Sequence, residues 1–189
     1  DIRDICFDTG GSIWLATYRG GLNQLRTTKF VTISANQGLF AEAIGAIYEL
    51  SKNKFLVGTT DGKLFTIENG LVKPFLLKTK LTQRIYSILA DTKDNLWIAS
   101  YDGLLVIMSD GREKLFTEKD GLPTRQIRII YEDRNHTYWI GSRNNGLIKM
   151  EIGESAIKPH FERFKYEELN RLNSTFIISI EENKAGDLL

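Results

Sequence analysis

Short apolar runs alternate with polar clusters along the whole chain, and the alternation itself repeats. Aligned on Ile2, Ile44, Ile85, Ile127 and Ile177, the copies are spaced by 42, 41, 42 and 50 residues. Three positions after each anchor stands a second isoleucine: Ile5, Ile47, Ile88, Ile130 and Ile180. Nine after come Gly11, Asn53, Asp94, His136 and Gly186; twelve after come Trp14, Leu56, Trp97, Trp139 and Leu189. Leu22, Leu64, Leu105 and Leu147 follow at twenty, and Leu25, Ile67, Met108 and Met150 at twenty-three. No gap is needed over this stretch in any copy. Chance does not keep so many columns in register, so the chain is a repeat protein.

Each column has a physical meaning. Every copy opens on an apolar segment such as 2–7 or 85–90, whose apolar residues on both faces predict a strand buried on both sides. A polar turn follows, and its ninth position holds only Gly, Asn, Asp or His, the residues that best tolerate positive φ. A hairpin with a left-handed residue at its end accounts for that column. Second strands are predicted at 13–17, 55–59, 96–100 and 138–142, with the tryptophans packed between copies. A glycine turn leads into a third strand from Leu22, Leu64, Leu105 or Leu147, and a fourth strand is expected near Phe30, Phe75, Phe116 and Phe161. Four strands per copy without helical periodicity describe the blades of a β-propeller. The fold class predicted is all-β, a β-propeller fragment of four four-stranded blades plus the first strand of a fifth. The blades span about 2–43, 44–84, 85–126 and 127–176, with an incomplete one at 177–189. The longer fourth copy places an extended outer hairpin at 152–159 and one helical turn at 166–172.

Composition narrows the function. The 189 residues are 42% hydrophobic and 26% charged, with a formal net charge of +1. A near-neutral chain with both signs interspersed lacks the basic stripe of a nucleic-acid groove, so no nucleic-acid partner is expected. No apolar run reaches the roughly 18 residues of a membrane helix. The single Cys6 excludes an internal disulfide, and its place on an inner strand reads as a small core residue. His136 falls in the left-handed turn column, and His160 has no partner cluster, so no metal and no cofactor is implied.

The segments Ile2-Arg3-Asp4-Ile5, Asp8, Gly11, Ile13-Trp14-Leu15-Ala16-Thr17 and Gly20-Gly21-Leu22 resemble the two-component regulator propeller repeat. Trp139-Ile140-Gly141-Ser142 with Gly146-Leu147 does so too, and Asp120-Gly121-Leu122-Pro123 resembles that family's inter-blade linker. Copy two departs most, with Leu50 and Leu56 where the family has Asp and Trp; a smaller apolar side chain is expected to fill that slot. The resemblance implies the extracytoplasmic, periplasmic sensor region of a membrane-bound hybrid histidine kinase of Bacteroidetes type, which detects oligosaccharides. Attachment to the membrane would come through segments outside these residues.

In a propeller the ligand face is the rim that carries the loops between blades and the turns between second and third strands. Tyr18, Arg19, Tyr101, Asp102, Arg143 and Asn144 occupy those turns, while Arg84 and Arg125 sit in the inter-blade loops. Aromatic rings cover the apolar face of a sugar, planar polar groups pair with hydroxyls, and arginines can meet sulfate or uronate bidentately. These eight are the candidate ligand-binding residues; each also fits an ordinary solvated turn. No catalytic residue is assigned, and Glu132-Asp133 and Glu181-Glu182 fall at repeat positions that the fold explains first. The sequence thus supports a non-catalytic ligand-sensing module, with a protein-interaction propeller as the alternative. A fifth copy that stops early suggests an open arc with exposed apolar blade faces, for which self-association of fragments is expected.

Overall fold

The computed structural model describes residues 1–25, 30–41, 43–153, 158–164 and 175–189. Four antiparallel four-stranded sheets carry the fold, one for each of the first four copies of the repeat. The first joins β1 (Ile2–Phe7), β2 (Ile13–Thr17), β3 (Leu22–Leu25) and β4 (Phe30–Ile33). The second joins β5 (Ile44–Ser51), β6 (Lys54–Thr59), β7 (Leu64–Glu68) and β8 (Leu71–Phe75). The third joins β9 (Ile85–Ala90), β10 (Leu96–Ser100), β11 (Leu104–Ile107) and β12 (Glu113–Phe116). The fourth joins β13 (Ile127–Glu132), β14 (Tyr138–Ser142), β15 (Leu147–Glu151) and β16 (His160–Arg163). Each sheet runs in sequence order, the meander of a propeller blade. The chain divides into two compact units, residues 1–88 and 89–189.

The turn column behaves as its residue types require. Gly11, Asn53, Asp94, His136 and Gly186 all have positive φ, from 60° to 96°. Beside it, a carboxylate or amide closes the polar turn in every copy but the second, which has Leu50 there. Asp8 Oδ1 accepts from the Gly10 and Ser12 amides at 3.0 and 2.7 Å. Asp91, Asp133 and Asn183 repeat the pattern at 2.8–2.9 Å in their own copies. The fifth copy therefore forms its turn, but in place of the expected first strand its described residues form only an antiparallel bridge, Glu182 to Leu188, with no neighbouring strand to extend the ladder. Glu181 and Leu189 exchange backbone hydrogen bonds beside that bridge at 3.2 and 2.7 Å.

Packing between copies is set by a column of small residues, Ala16, Gly58, Ala99 and Gly141. A Cβ on Gly58 would come within 2.5 Å of Ile85 Cγ2, and one on Gly141 within 2.6 Å of Ile177 Cγ2. The inner-strand isoleucine of the following copy thus rests directly on the glycine backbone. Ile44, Ile85 and Ile127 are buried accordingly. Copy one departs from the expectation of an inner strand buried on both faces. Ile2, Ile5 and Phe7 are 57%, 50% and 71% exposed, because the described residues include no earlier copy to cover them. Cys6 beside them is half-buried. In copy two, Leu56 is fully buried in the slot that tryptophan fills elsewhere, as expected.

Two inter-blade linkers are built alike. Short 3-10 turns at Ala35–Gln37 and Glu118–Asp120 each close a reciprocal capping box, Ser34 with Gln37 and Thr117 with Asp120. Gly38 and Gly121 then take the left-handed conformation, and Leu39 and Leu122 drop into the core. The expected hairpin at 152–159 and helical turn at 166–172 fall largely or wholly outside the described residues.

Candidate functional site

Hydrogen bonds cross between copies at the polar turns between first and second strands, the end of each blade opposite the rim. The carboxylate five positions after an anchor reaches back to the polar turn of the copy before. Glu49 accepts from the Thr9 amide at 3.2 Å, and Glu132 from the Thr92 amide and hydroxyl at 3.0 and 2.7 Å. Glu182 accepts from the Arg134 amide at 3.0 Å and pairs with its guanidinium. His136 joins the same arrangement, with Nδ1 2.9 Å from Glu132 and 3.2 Å from the Thr92 hydroxyl. These carboxylates and this histidine are therefore spent on joining blades.

A second device lies deeper. The carboxylate six positions after the anchor takes the indole N–H of its own copy's tryptophan. Asp8 binds Trp14, Asp91 binds Trp97 and Asp133 binds Trp139, at 2.9, 2.8 and 2.8 Å. Burial alone would raise the Asp91 pKa. Hydrogen bonds from Trp97, Asn95 and Tyr138 outweigh it and hold the carboxyl below the usual range. Burial likewise opposes, without overcoming, the bonds from Trp14, Ser12 and Gly10 that hold Asp8 low.

The eight predicted rim residues separate by unit. In residues 1–88, Tyr18 bridges to Ala43 and is covered by two guanidiniums, those of Arg3 and Arg19, each 5.1 Å from the ring centre. Arg19 holds a left-handed conformation with φ of 66°. Arg84 lies 4.9 Å over the Tyr86 ring. In residues 89–189, Arg125 is committed to Glu118 at 3.3 Å. Asn144 accepts from the Thr124 hydroxyl at 3.1 Å, and the Asp102 amide donates to Ser100 Oγ at 3.1 Å.

Tyr101 and Arg143 are brought together, with a partner that rim reasoning missed. Arg143 and Arg128 both donate to the Tyr101 hydroxyl, at 2.7 and 3.0 Å. The Arg128 guanidinium also lies 5.3 Å over Tyr101 and 5.1 Å over Phe176. Two cations and two aromatic rings thus converge, with Arg143 and Phe176 exposed. Arg128 sits one position into an isoleucine-rich inner strand, and an arginine in such a strand is the signal that would have revealed it. The Arg143 amide donates to the Gln126 carbonyl at 3.0 Å, which ties the turn to the adjoining linker.

Two hollows lie in the first unit. One, of about 430 Å³, opens between copies one and two and is lined by Trp14, Gln24, Gln37, Phe55 and Asn69 among others. The other, of about 490 Å³, is an apolar groove beside Phe40, Phe65, Pro74, Leu76 and Leu81. Phe40 and Leu76 are 70% and 87% exposed there. Among the described residues, no His, Cys, Asp and Glu side chains gather into a group that could hold a metal ion. No helix among them is long and apolar enough to cross a membrane.

Comparison with known proteins places this geometry. The chain superposes on the extracellular domain of a putative hybrid two component system from B. thetaiotaomicron with a TM-score of 0.76 and 18% identity, over 100% of this chain and 25% of that one. A second such domain from the same organism gives 0.77 and 17%, over 97% of this chain and 24% of that one. The chain thus spans about a quarter of the length of these solved domains. The fold is shared with an enzyme as well. Selenomethionine-substituted virginiamycin B lyase from Staphylococcus aureus gives 0.62 and 13%, over 84% of this chain and 54% of that one. No curated protein matches the sequence. The description "Two component regulator propeller" matches residues 80–102 and 121–144. Those two stretches, which open the third and fourth blades, are two-component regulator propeller repeats.

Proposed function

We propose that this chain is a ligand-reading part of the extracytoplasmic sensor of a two-component system, and that it binds an oligosaccharide at its rim without transforming it. The convergence of Arg128 and Arg143 on the Tyr101 hydroxyl carries this reading. Each guanidinium has five N–H donors in a planar fork, and a bond to one phenol leaves Arg143 able to offer others to a ligand oxygen. The exposed Phe176 ring supplies an apolar surface beside them. Such a pairing suits sugar hydroxyls, and suits uronate or sulfate groups better. The repeat match at 80–102 and 121–144 supports the sensor role, and the extracellular relatives support a periplasmic position.

A thermal-shift screen of the purified chain against neutral and acidic oligosaccharides tests it. A binder at a hundredfold excess over its Kd adds about 2.7 kcal/mol of apparent stability. A hit that Arg143→Ala removes is the expected result. Silence across a broad panel, from a chain that melts cooperatively, would turn the reading to a module that docks another protein; the exposed groove at Phe40 and Leu76 is the observation on that side.

A further inference from the structure

The apolar groove of the first unit lies where the linkers depart from their own pattern. The linkers after copies one and three open on a polar capping residue, Ser34 or Thr117, and turn through Gly38 or Gly121 into a buried leucine, Leu39 or Leu122. Ladder register places Phe75 of copy two level with Ile33 and Phe116. Counted from there, the second linker has Leu76 at the capping place, Lys80 at the glycine place and Leu81 at the buried leucine. Leu76 is almost fully exposed, and so is most of Phe40, which stands where copy three has Pro123. Neither ring nor leucine fills the core or closes a turn, so the fold makes no demand for them. Apolar side chains gathered in this way on a surface mark a contact with something else.

The groove is preformed. The Thr60 amide donates to the Ala43 carbonyl at 3.1 Å and ties the second-to-third-strand turn of copy two to the linker that carries Phe40. Gly62 in the same turn has a φ of 79°, and a Cβ on it would come within 2.7 Å of the Leu81 backbone. Buried Phe65 and Leu81 form the floor between the two linkers. Walls already held in place spare a partner much of the ordering cost of binding. Pro74 interrupts the outer edge of β8, so a partner engages side chains there and does not extend the sheet.

Charge selects the occupant. Among the described residues that line the groove the charged ones are Lys63 and Lys80, and none is acidic. Lys63 pairs with Asp61 at 2.5 Å, whereas Lys80 enters no ion pair among the described residues. Between Glu68 and Asp91 the sequence holds Lys73, Lys78, Lys80 and Arg84 and no acidic residue, in a chain whose net charge is only +1. We propose that this groove docks an acidic segment of a partner protein, which inserts a large apolar side chain between Phe40 and Leu76 and brings carboxylates to Lys80 and its basic neighbours. Apolar anchoring supplies affinity, and charge complementarity supplies orientation and selectivity. The surface is concave, which suits an inserted side chain; a bilayer offers a flat face. This inference stands apart from the Tyr101 cluster: it uses other residues and a macromolecular partner.

The test is selection of a displayed library of random short peptides on the purified chain, followed by fluorescence anisotropy with the enriched peptides. Enriched peptides are expected to combine Asp or Glu with a Leu, Ile, Phe or Trp, and to bind more weakly as salt rises. Leu76→Thr, which installs the residue of the third linker at an exposed place, is expected to weaken binding at least about tenfold and leave the unfolding midpoint unchanged. Phe40→Ser should act alike and keeps the test alive if the first variant fails to fold. Lys80→Glu should weaken binding and flatten its salt dependence, and Arg143→Ala should leave it unchanged. The proposal is overturned if no peptide is enriched on a cooperatively folded chain, if the enriched peptides are basic or uncharged, or if Leu76→Thr binds them undiminished. Cosedimentation with phosphatidylglycerol vesicles that Leu76→Thr abolishes would overturn it in favour of a lipid surface. A concentration-dependent dimer that Leu76→Thr dissociates would overturn it in favour of a second copy of this chain.

Discussion

Asp8 and Asp91 hold the same place in copies one and three, and each binds the indole N–H of its own tryptophan, yet the next copy treats them differently. At the first junction, copy two offers Phe55, whose ring packs 4.5 Å from that of Trp14. At the other, copy four offers Tyr138, 5.8 Å from Trp97, and its hydroxyl donates to Asp91 Oδ2 at 2.9 Å. Asp91 Oδ2 also accepts from Asn95 Nδ2 and Trp97 at 2.9 and 2.8 Å, and Oδ1 accepts from the Lys93 and Asn95 amides. Burial, and after it the bond to Asp91, pushes the Tyr138 phenol far above its ordinary pKa, so it stays a donor across the working range. The later junction closes around a carboxylate that accepts five hydrogen bonds; the earlier one keeps a hollow of about 430 Å³. One repeat plan yields a stabilising seam in one place and an open one in the other, through a few side chains that face across copies.

The largest expected effect is Asp91→Ala, which strands the Trp97 indole and the Tyr138 hydroxyl in a buried site. We expect a loss of about 3–4 kcal/mol by urea unfolding, against about 1–2 kcal/mol for Asp8→Ala, which has fewer dependants. Equal losses would refute the contrast. Copy two shows the remedy: Leu50 and Leu56 replace both partners together, and Leu56 is fully buried. Asp91→Leu combined with Trp97→Leu should therefore cost less than the sum of the two single changes by about 1–2 kcal/mol, read from a double-mutant cycle.

Acid exposes the same difference. Both carboxyls are held below their unfolded pKa, so their contribution is complete above about pH 4 and is lost as pH falls through the folded values. Stability should fall on acidification below about pH 4, and Asp91→Asn should flatten that fall more than Asp8→Asn. Tyr138→Phe, which makes the later junction resemble the earlier one, should cost about 1 kcal/mol. The smallest effect is expected from Glu132→Ala, whose bonds to Thr92 lie at the surface: about 0.5 kcal/mol by thermal unfolding.

The reach of the sequence can be followed residue by residue. The turn column, from Gly11 to Gly186, was legible because backbone conformation depends on the residue that adopts it, and positive φ admits few types. The strand positions were legible because alternation and repetition report burial directly, but the gap-free column put Leu105 where the ladder places Leu104: the turn before the third strand of copy three is one residue shorter, and an adjacent pair of leucines hides the shift. Tyr101 and Arg143 were named from their turns alone. Arg128 was not, because its meeting with Tyr101 joins side chains 27 positions apart in neighbouring copies.

The repeat, its strands and its turns could be read from the sequence alone, since those follow from local preferences copied in register. Only the tertiary structure decided which side chains meet across copies. Tyr138 completes the shell of Asp91, Arg128 and Arg143 converge on Tyr101, and Phe55 meets Trp14 where Tyr138 meets Trp97. Such contacts depend on the facing surfaces of two folded blades, and a pattern read along one strand carries no record of what will stand opposite it.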